Sequence, residues 1–158
     1  PCPDETGTAF LGDGTLPPQR EMTCPGVVAT AYVPLAPADA SAFADPLEAL
    51  PSADDEMYYL PEYYYWDYVT PTAVGCPYGG TFAFAATDDG EQYALTDCAF
   101  SAGFAMTGGG SYSYYSGLFT LDVSVNGLAD GFLTYTRDAE DNLHATGEYA
   151  GQAVDLSQ

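Results

Sequence analysis

The sequence has no lysine, and its basic side chains are limited to Arg20, Arg137 and the single histidine His144. Asp and Glu together number 23, so the formal net charge is -21 at pH 7. DNA and RNA are excluded as partners, because binding to phosphates depends on Lys and Arg that release condensed counterions. An anionic membrane surface is disfavoured for the same reason. The charge favours cations, basic proteins or uncharged sugars as partners.

Long apolar runs are also missing, so the sequence predicts no membrane-spanning segment. The chain begins Pro1-Cys2-Pro3 rather than with methionine, and we expect that a leader has been removed. Its four cysteines lack the CxxC spacing and the histidine partners of a zinc site, which favours disulfides. We predict Cys2–Cys24 and Cys76–Cys98, because both pairs are 22 positions apart. Two disulfides indicate an oxidising, extracytoplasmic location, secreted or at the cell surface.

Turn signals and alternating apolar residues predict antiparallel strands from residue 76 to residue 158. The turn Asp88-Asp89-Gly90 separates TFAFAAT from QYALTDCAF, which is typical of a hairpin. In the run from Phe119 to Val125, apolar and polar residues alternate, which indicates one buried and one wet face. We expect Gly108-Gly109-Gly110 to introduce a bulge or a corner. The predicted fold is all-β, an antiparallel sandwich or barrel-like meander held by two disulfides.

The rest of the chain is less regular. Residues 1–33 are predicted to be an extended N-terminal segment with the first strand or strands. Residues 34–75 are predicted to be a long irregular arm, acidic and rich in Ala and Pro, that ends in a tyrosine-rich segment. A short helix interrupted by Pro46 is the most that this composition favours. We expect the three segments to make one folded domain.

The tyrosine-rich segment YYLPEYYYWDY holds six tyrosines and the only tryptophan of the chain. These rings could pack on the core of their own chain, dock on another protein, or stack on a sugar. Stacking would use Trp66, Tyr63 and Tyr65, with Asp67 bonding sugar hydroxyls. The predicted ligand or partner contacts are Tyr58, Tyr59, Tyr63, Tyr64, Tyr65, Trp66 and Tyr68.

Calcium is the expected cofactor, because three acidic turns carry several hard oxygen ligands. The first choice is Asp138, Glu140 and Asp141, followed by Asn142; the second is Asp88, Asp89 and Glu91. Asp54-Asp55-Glu56 is a further acidic turn. None of the three follows the EF-hand spacing.

Catalysis is not predicted. A triad could be written with His144 and either Ser113 or Ser116, but the GxSxG motif is missing. With 23 acidic residues in the chain, a pair of carboxylates for glycoside hydrolysis carries no information.

The sequence therefore predicts a secreted or cell-surface structural protein that assembles with copies of itself or with another surface protein. An appendage or surface-layer subunit with tyrosine-rich contacts, supported by calcium, fits this composition. The alternative is a module that binds a glycan or another ligand through the Tyr and Trp cluster.

Overall fold

The computed structural model describes Gly12 and residues 32–157. Residues 33–157 belong to one compact unit. The predicted disulfide Cys2–Cys24 and most of the predicted N-terminal segment lie outside the described residues.

Eight strands form one antiparallel sheet in which each strand pairs with its neighbours in sequence. This arrangement confirms the all-β antiparallel meander, and the strands Thr81–Ala86 and Gly90–Ser101 form the hairpin predicted around Asp88-Asp89-Gly90. The strands are β1 (Thr72–Gly75), β2 (Thr81–Ala86), β3 (Gly90–Ser101), β4 (Phe104–Ser113), β5 (Phe119–Gly127), β6 (Gly131–Arg137), β7 (Leu143–Tyr149) and β8 (Gln152–Ser157).

The two faces of the sheet differ in chemistry. On β5, Phe119, Leu121, Val123 and Val125 are buried, and the residues between them are accessible to solvent, as the alternation predicts. The same face buries side chains from the neighbouring strands, namely Phe82, Phe84, Tyr93, Leu95, Phe104, Met106, Leu133 and Tyr135. Each such side chain contributes roughly 1.5–3 kcal/mol to the free energy of unfolding, so this face is the core.

Helices cover the buried face, where a sandwich would place a second sheet. They are α1 (Ala49–Tyr59) and α2 (Pro61–Tyr64), preceded by two 3₁₀ turns, Ala40–Ala42 and Pro46–Glu48. Residues 34–71 are therefore more ordered than the irregular arm that the sequence predicts. The sequence did not predict α1, because the segment is rich in proline. Pro51 is compatible with the helix because it lies in the first turn, where a missing N–H costs no hydrogen bond.

The buried side of α1 carries Leu50, Ala53, Asp54 and Met57, which recur at the three- and four-residue spacing of one helix face. The helix ends at Tyr59, because the residue before Pro61 is disfavoured in the α conformation. Burial against the sheet, rather than intrinsic helix propensity, stabilises so short a helix.

The segment before α1 is attached to the β3–β4 hairpin. Ala40 N donates to Ala102 O, and Ala102 N donates to Ala38 O, both at 2.9 Å. Ser101 Oγ donates to Pro37 O at 2.6 Å. These bonds pair the backbone of a segment that lacks regular structure with the sheet, so it does not leave buried polar groups unsatisfied.

The predicted disulfide Cys76–Cys98 is confirmed, with a Cα–Cα distance of 5.4 Å. It joins the turn after β1 to β3, and Gly80 at the end of that turn has φ +77° and lies against Asp97 O. The glycine run does not interrupt its strand, since β4 continues through Gly108–Gly110. The irregularities of register lie instead in β3, between Leu95 and Cys98 and again between Ala99 and Ser101.

Within residues 32–157, no helix is long and apolar enough to cross a membrane.

Candidate functional site

A cleft of about 630 Å³ lies between α1 and one end of the sheet. Its floor is one row of cross-strand neighbours that runs over five strands, in the order Glu91, Tyr112, Phe119, Arg137 and Leu143. In the next row of the sheet, Gly110 stands between Tyr93 and Leu121. Glycine is required there by close packing, because a Cβ at this position would clash with Thr120 O and lie 2.7 Å from Leu121 Cδ2.

The other walls come from the helical segment. Met57, Tyr58 and Tyr59 of α1 and Tyr63 of α2 line the cleft, and Tyr68 closes one side. Cross-strand neighbours and two short helices thus bring residues from distant parts of the sequence into one concave surface, which is a common form of small-molecule site.

Glu91 lies at the base of the cleft and is 4% exposed. Its carboxylate accepts hydrogen bonds from three tyrosine hydroxyls: Tyr63 and Tyr93 donate to Oε2, and Tyr114 donates to Oε1 at 3.1 Å. The Tyr63 and Tyr93 hydroxyls are also 2.9 Å apart. A buried carboxylate is stable only when such donors replace water, so the three tyrosines explain why Glu91 can stay there.

The tyrosines of this cluster keep their protons. Burial raises the pKa of Tyr63 above its ordinary value, and the hydrogen bond to Glu91 raises it further. Burial also raises the pKa of Tyr93, with added contributions from Tyr63 and Glu91. Because each O–H is directed within the cluster, these oxygens offer acceptor lone pairs, not protons, to a ligand.

A second polar cluster joins α1 to the floor. Arg137 Nε donates to Asp54 Oδ2 at 2.7 Å, and Nη2 donates to Oδ1 at 3.2 Å. Tyr135 Oη donates to the same carboxylate at 3.1 Å. The hydrogen bond to Asp54 raises the pKa of Arg137, and its guanidinium also lies 5.4 Å from the centroid of the Phe119 ring. The guanidinium thus donates two hydrogen bonds to Asp54 and lies over the Phe119 ring in the floor of the cleft.

The lining is negatively charged. It contains one cationic side chain, Arg137, and four carboxylates, Asp54, Asp55, Glu91 and Asp141. Burial raises the pKa of Asp55, and the neighbouring Asp54 charge raises it further. Asp141 lies 3.7 Å from Arg137 and is largely exposed. Three negative charges remain when Arg137 is set against one of the four carboxylates, so the cleft disfavours anions.

Adjacent aromatic rings in the lining are inclined to one another at several angles. Three pairs are tilted, by 39° for Phe82 with Tyr93, 45° for Tyr93 with Phe119 and 52° for Tyr63 with Phe82, and three pairs are steeper. The interplanar angle is 86° for Tyr58 with Tyr59, 67° for Tyr63 with Tyr93, and 73° for Tyr112 with Tyr114. The rings therefore curve around a volume instead of forming one flat platform.

Tyr68 has a φ of +58°, a region that bulky residues rarely occupy. Asp67 stabilises the turn, since its Oδ1 accepts from Val69 N and Thr70 N, both at 2.8 Å. The Tyr68 ring also packs at 5.1 Å from Trp66. Backbone strain of this kind is concentrated at ligand-binding and active sites.

The structure separates the predicted contact residues into three groups. Tyr58, Tyr59, Tyr63 and Tyr68 line the cleft. Trp66 is buried, stacks with Tyr63 and packs edge-on against Phe84, and its Nε1 donates to Thr70 O at 2.6 Å. Tyr64 and Tyr65 lie on the outer surface. The proposed stacking set of Trp66, Tyr63 and Tyr65 does not form a shared exposed face, because Trp66 is enclosed.

Three of the predicted calcium ligands, Asp138, Asp141 and Glu91, have partners within the protein. Asp138 Oδ1 accepts from Glu140 N and Asn142 N, both at 2.9 Å, which closes its own turn. Asp141 faces Arg137. Of the second set, Asp88 and Asp89 lie in the β2–β3 turn, whereas Glu91 points into the cleft. In the part of the chain from 32 to 157, no group of three or more His, Cys, Asp and Glu side chains could hold a metal ion.

His144 lies on β7, where its Nε2 is 3.1 Å from Asp155 Oδ1 on the exposed side of the sheet. Ser113 and Ser116 close the loop after β4, with Ser116 N donating to Ser113 Oγ. No hydrogen bond joins either serine to His144 among the bonds of the described residues.

Sequence reasoning missed the partners of the two carboxylates at the cleft. Tyr93, Tyr114, Tyr135 and Arg137, which bond these carboxylates, were not predicted as site residues, and Asp54 was named only within an acidic turn. A local signal was present, because Glu91 and Tyr93 are two residues apart in β3 and so share one face of that strand.

Comparison of the chain with protein-family models, with curated proteins and with solved structures gives no match. The site must therefore be interpreted from its own geometry.

Proposed function

We propose that this chain is a β module that binds a small organic ligand in the cleft between α1 and the sheet. The observation that carries the proposal is the cleft itself. It has a volume of about 630 Å³, aromatic walls, and a buried carboxylate fixed at its base by three hydroxyls. Small-molecule sites typically have volumes of about 300–1,000 Å³ and combine apolar walls with a few well-placed polar groups.

Trp66 supplies a reporter for ligand binding, because it is the only tryptophan and its ring contacts Tyr63 and Tyr68 of the lining. We would screen three soluble ligand classes, namely neutral sugars, organic cations and uncharged aromatic compounds, by Trp66 fluorescence and saturation-transfer NMR. At least one class should bind with a saturable signal.

A matched pair of variants assigns the signal to the cleft. Tyr114→Leu removes a half-exposed lining ring, and Tyr65→Leu removes an exposed ring outside the cleft. Binding should weaken in the first variant and stay unchanged in the second. Failure of all three ligand classes to bind the folded protein, or equal loss in both variants, would contradict the proposal.

Self-assembly is the second candidate, and exposed tyrosines outside the cleft support it. Tyr65 is 82% exposed and Tyr115 is 83% exposed, and Tyr65 packs edge-on against Tyr64. Such rings are candidates for contact with another copy or another surface protein. Light scattering and negative-stain electron microscopy, with calcium and with a chelator, test this candidate. A monomer in both conditions would contradict it, and loss of assembly on chelation would support calcium at the contact.

An extracytoplasmic location remains part of the proposal. The Cys76–Cys98 disulfide supports it, because such bonds persist in oxidising compartments. Fractionation of the source cells with an antibody to this chain tests it, and recovery in the cytoplasm would contradict it.

A further inference from the structure

We propose that the ligand of the cleft is an organic ammonium ion, held by aromatic faces and by the fixed negative charge of the lining. This inference rests on the proposed function and names its ligand class.

The charge of the lining is the first argument. Glu91 is fixed at the base, Asp55 and Asp141 lie toward solvent, and the guanidinium of Arg137 is committed to Asp54. A ligand with a positive charge gains from every uncompensated carboxylate, whereas a neutral sugar gains nothing from net charge and an anion is repelled.

Hydrogen-bonding capacity is the second argument. The hydroxyls of Tyr63, Tyr93 and Tyr114 direct their protons to Glu91 and present oxygen lone pairs at the base of the cleft. A sugar hydroxyl both donates and accepts hydrogen bonds. The oxygen atoms at the bottom of the cleft can accept from such a hydroxyl but have no free proton to donate to it. An ammonium ion makes no demand for a donor: a protonated amine donates its N–H groups to such oxygens, and a quaternary ammonium is attracted by their partial charge and by the carboxylates.

Ring geometry is the third argument. Neighbouring lining rings stand at 39° to 86° to one another, so they surround the cleft from several directions, which suits a roughly spherical cation better than the flat face of a sugar ring. The lining already stabilises one cation in this way, since the Arg137 guanidinium lies over Phe119. Cations over aromatic faces within about 6 Å are a recurrent means of recognising ammonium ligands.

The test compares choline with dimethylbutanol, its uncharged carbon isostere, by NMR titration and Trp66 fluorescence. Choline should bind at least about tenfold more tightly than the alcohol, because the two differ only in charge. Added salt should weaken choline binding, because half of the lining charge lies near solvent. A peptide that carries trimethyl-lysine, beside the same peptide with unmodified lysine, separates a free ammonium ligand from one attached to a protein.

Two charge variants with the same net charge locate the effect. Asp55→Asn with Asp141→Asn neutralises the outer carboxylates of the cleft, and Asp122→Asn with Asp155→Asn neutralises two exposed carboxylates on the uncovered face. The cleft pair should weaken choline binding by about tenfold, and the control pair by less than about twofold, because exposed charges beyond the Debye length are screened.

The outcomes are distinguishable. If the alcohol or a methyl glycoside binds as tightly as choline, the ammonium assignment fails and the ligand-binding function stands. If neither choline nor tetramethylammonium binds and no other ligand class binds, both fail. Equal weakening by the two charge pairs would show that the overall field, rather than the cleft, attracts the cation, and would also overturn the assignment.

Discussion

Replacement of Arg137 by methionine tests whether the ion pair with Asp54 holds α1 on the sheet. The carboxylate of Asp54 is 6% exposed and accepts two bonds from a guanidinium that is 30% exposed. Removal of one partner of a buried pair typically lowers the free energy of unfolding by about 3–5 kcal/mol. Because Arg137 is partly solvated and Tyr135 still donates to Asp54, we expect about 3 kcal/mol, the lower end of that range.

The assay is urea denaturation of the two single variants, Arg137→Met and Asp54→Asn, and of the double variant. Urea is preferred to guanidinium chloride, which would screen the charges of a protein with a net charge of -21. The double variant should be more stable than the sum of the single effects predicts, by about 2 kcal/mol. Loss of the more exposed His144–Asp155 contact through His144→Met should change stability by less than about 0.5 kcal/mol. A loss below about 1 kcal/mol in Arg137→Met, or additive single effects, would refute the reasoning.

Three further predictions concern the disulfide, an acidic turn and a buried tyrosine. Joint replacement of Cys76 and Cys98 by alanine should lower the free energy of unfolding by about 3 kcal/mol in urea, because the unfolded chain loses a loop constraint; an unchanged midpoint would contradict this. The side-chain bond from Asn142, with backbone bonds, lowers the pKa of Asp138 in the folded state. Its contribution is therefore present above the ordinary aspartate pKa and is lost as pH falls through the folded value, so the difference in stability between wild type and Asp138→Asn should shrink below about pH 4. Burial raises the pKa of Tyr93 in the folded protein above the pKa of about 10 that it has in the unfolded chain. The contribution of Tyr93 to stability is therefore present below about pH 10 and is lost as the pH rises above it. The phenolate absorbance of Tyr93 should appear only with alkaline unfolding, and Tyr93→Phe should remove one tyrosine from that step.

Local chemistry decided which parts of the fold the sequence could predict. The β2–β3 hairpin follows from Asp88-Asp89-Gly90 and its flanking alternation, and β5 follows from the alternation of Phe119–Val125. Cys76–Cys98 followed from spacing within a short segment. Each of these features is encoded by residues close together in the sequence.

Tertiary packing decided the rest. Helix α1 carries two acidic residues and a proline among its first seven positions, and only its burial against the sheet makes it stable. The Asp54–Arg137 pair joins residues 83 positions apart, which no local pattern indicates. The acidic group of Glu91 was visible in the sequence, but its face of the strand decided whether it met a metal or three tyrosines.

Replacement of Glu91 tests whether the buried charge at the base of the cleft serves stability or ligand binding. Burial of a carboxylate costs several kcal/mol before its hydrogen bonds are counted, and an apolar or neutral side chain of similar size often stabilises a core equally well. Stability alone therefore does not require a charge at the base. If the charge serves a cationic ligand, Glu91→Gln should weaken choline binding by about tenfold while the free energy of unfolding changes by less than about 1 kcal/mol. Thermal and urea unfolding, measured beside the choline titration, give both quantities. A large loss of stability with unchanged choline affinity would make Glu91 a structural residue, and the negative charge at the base of the cleft would then lose its role in recognition.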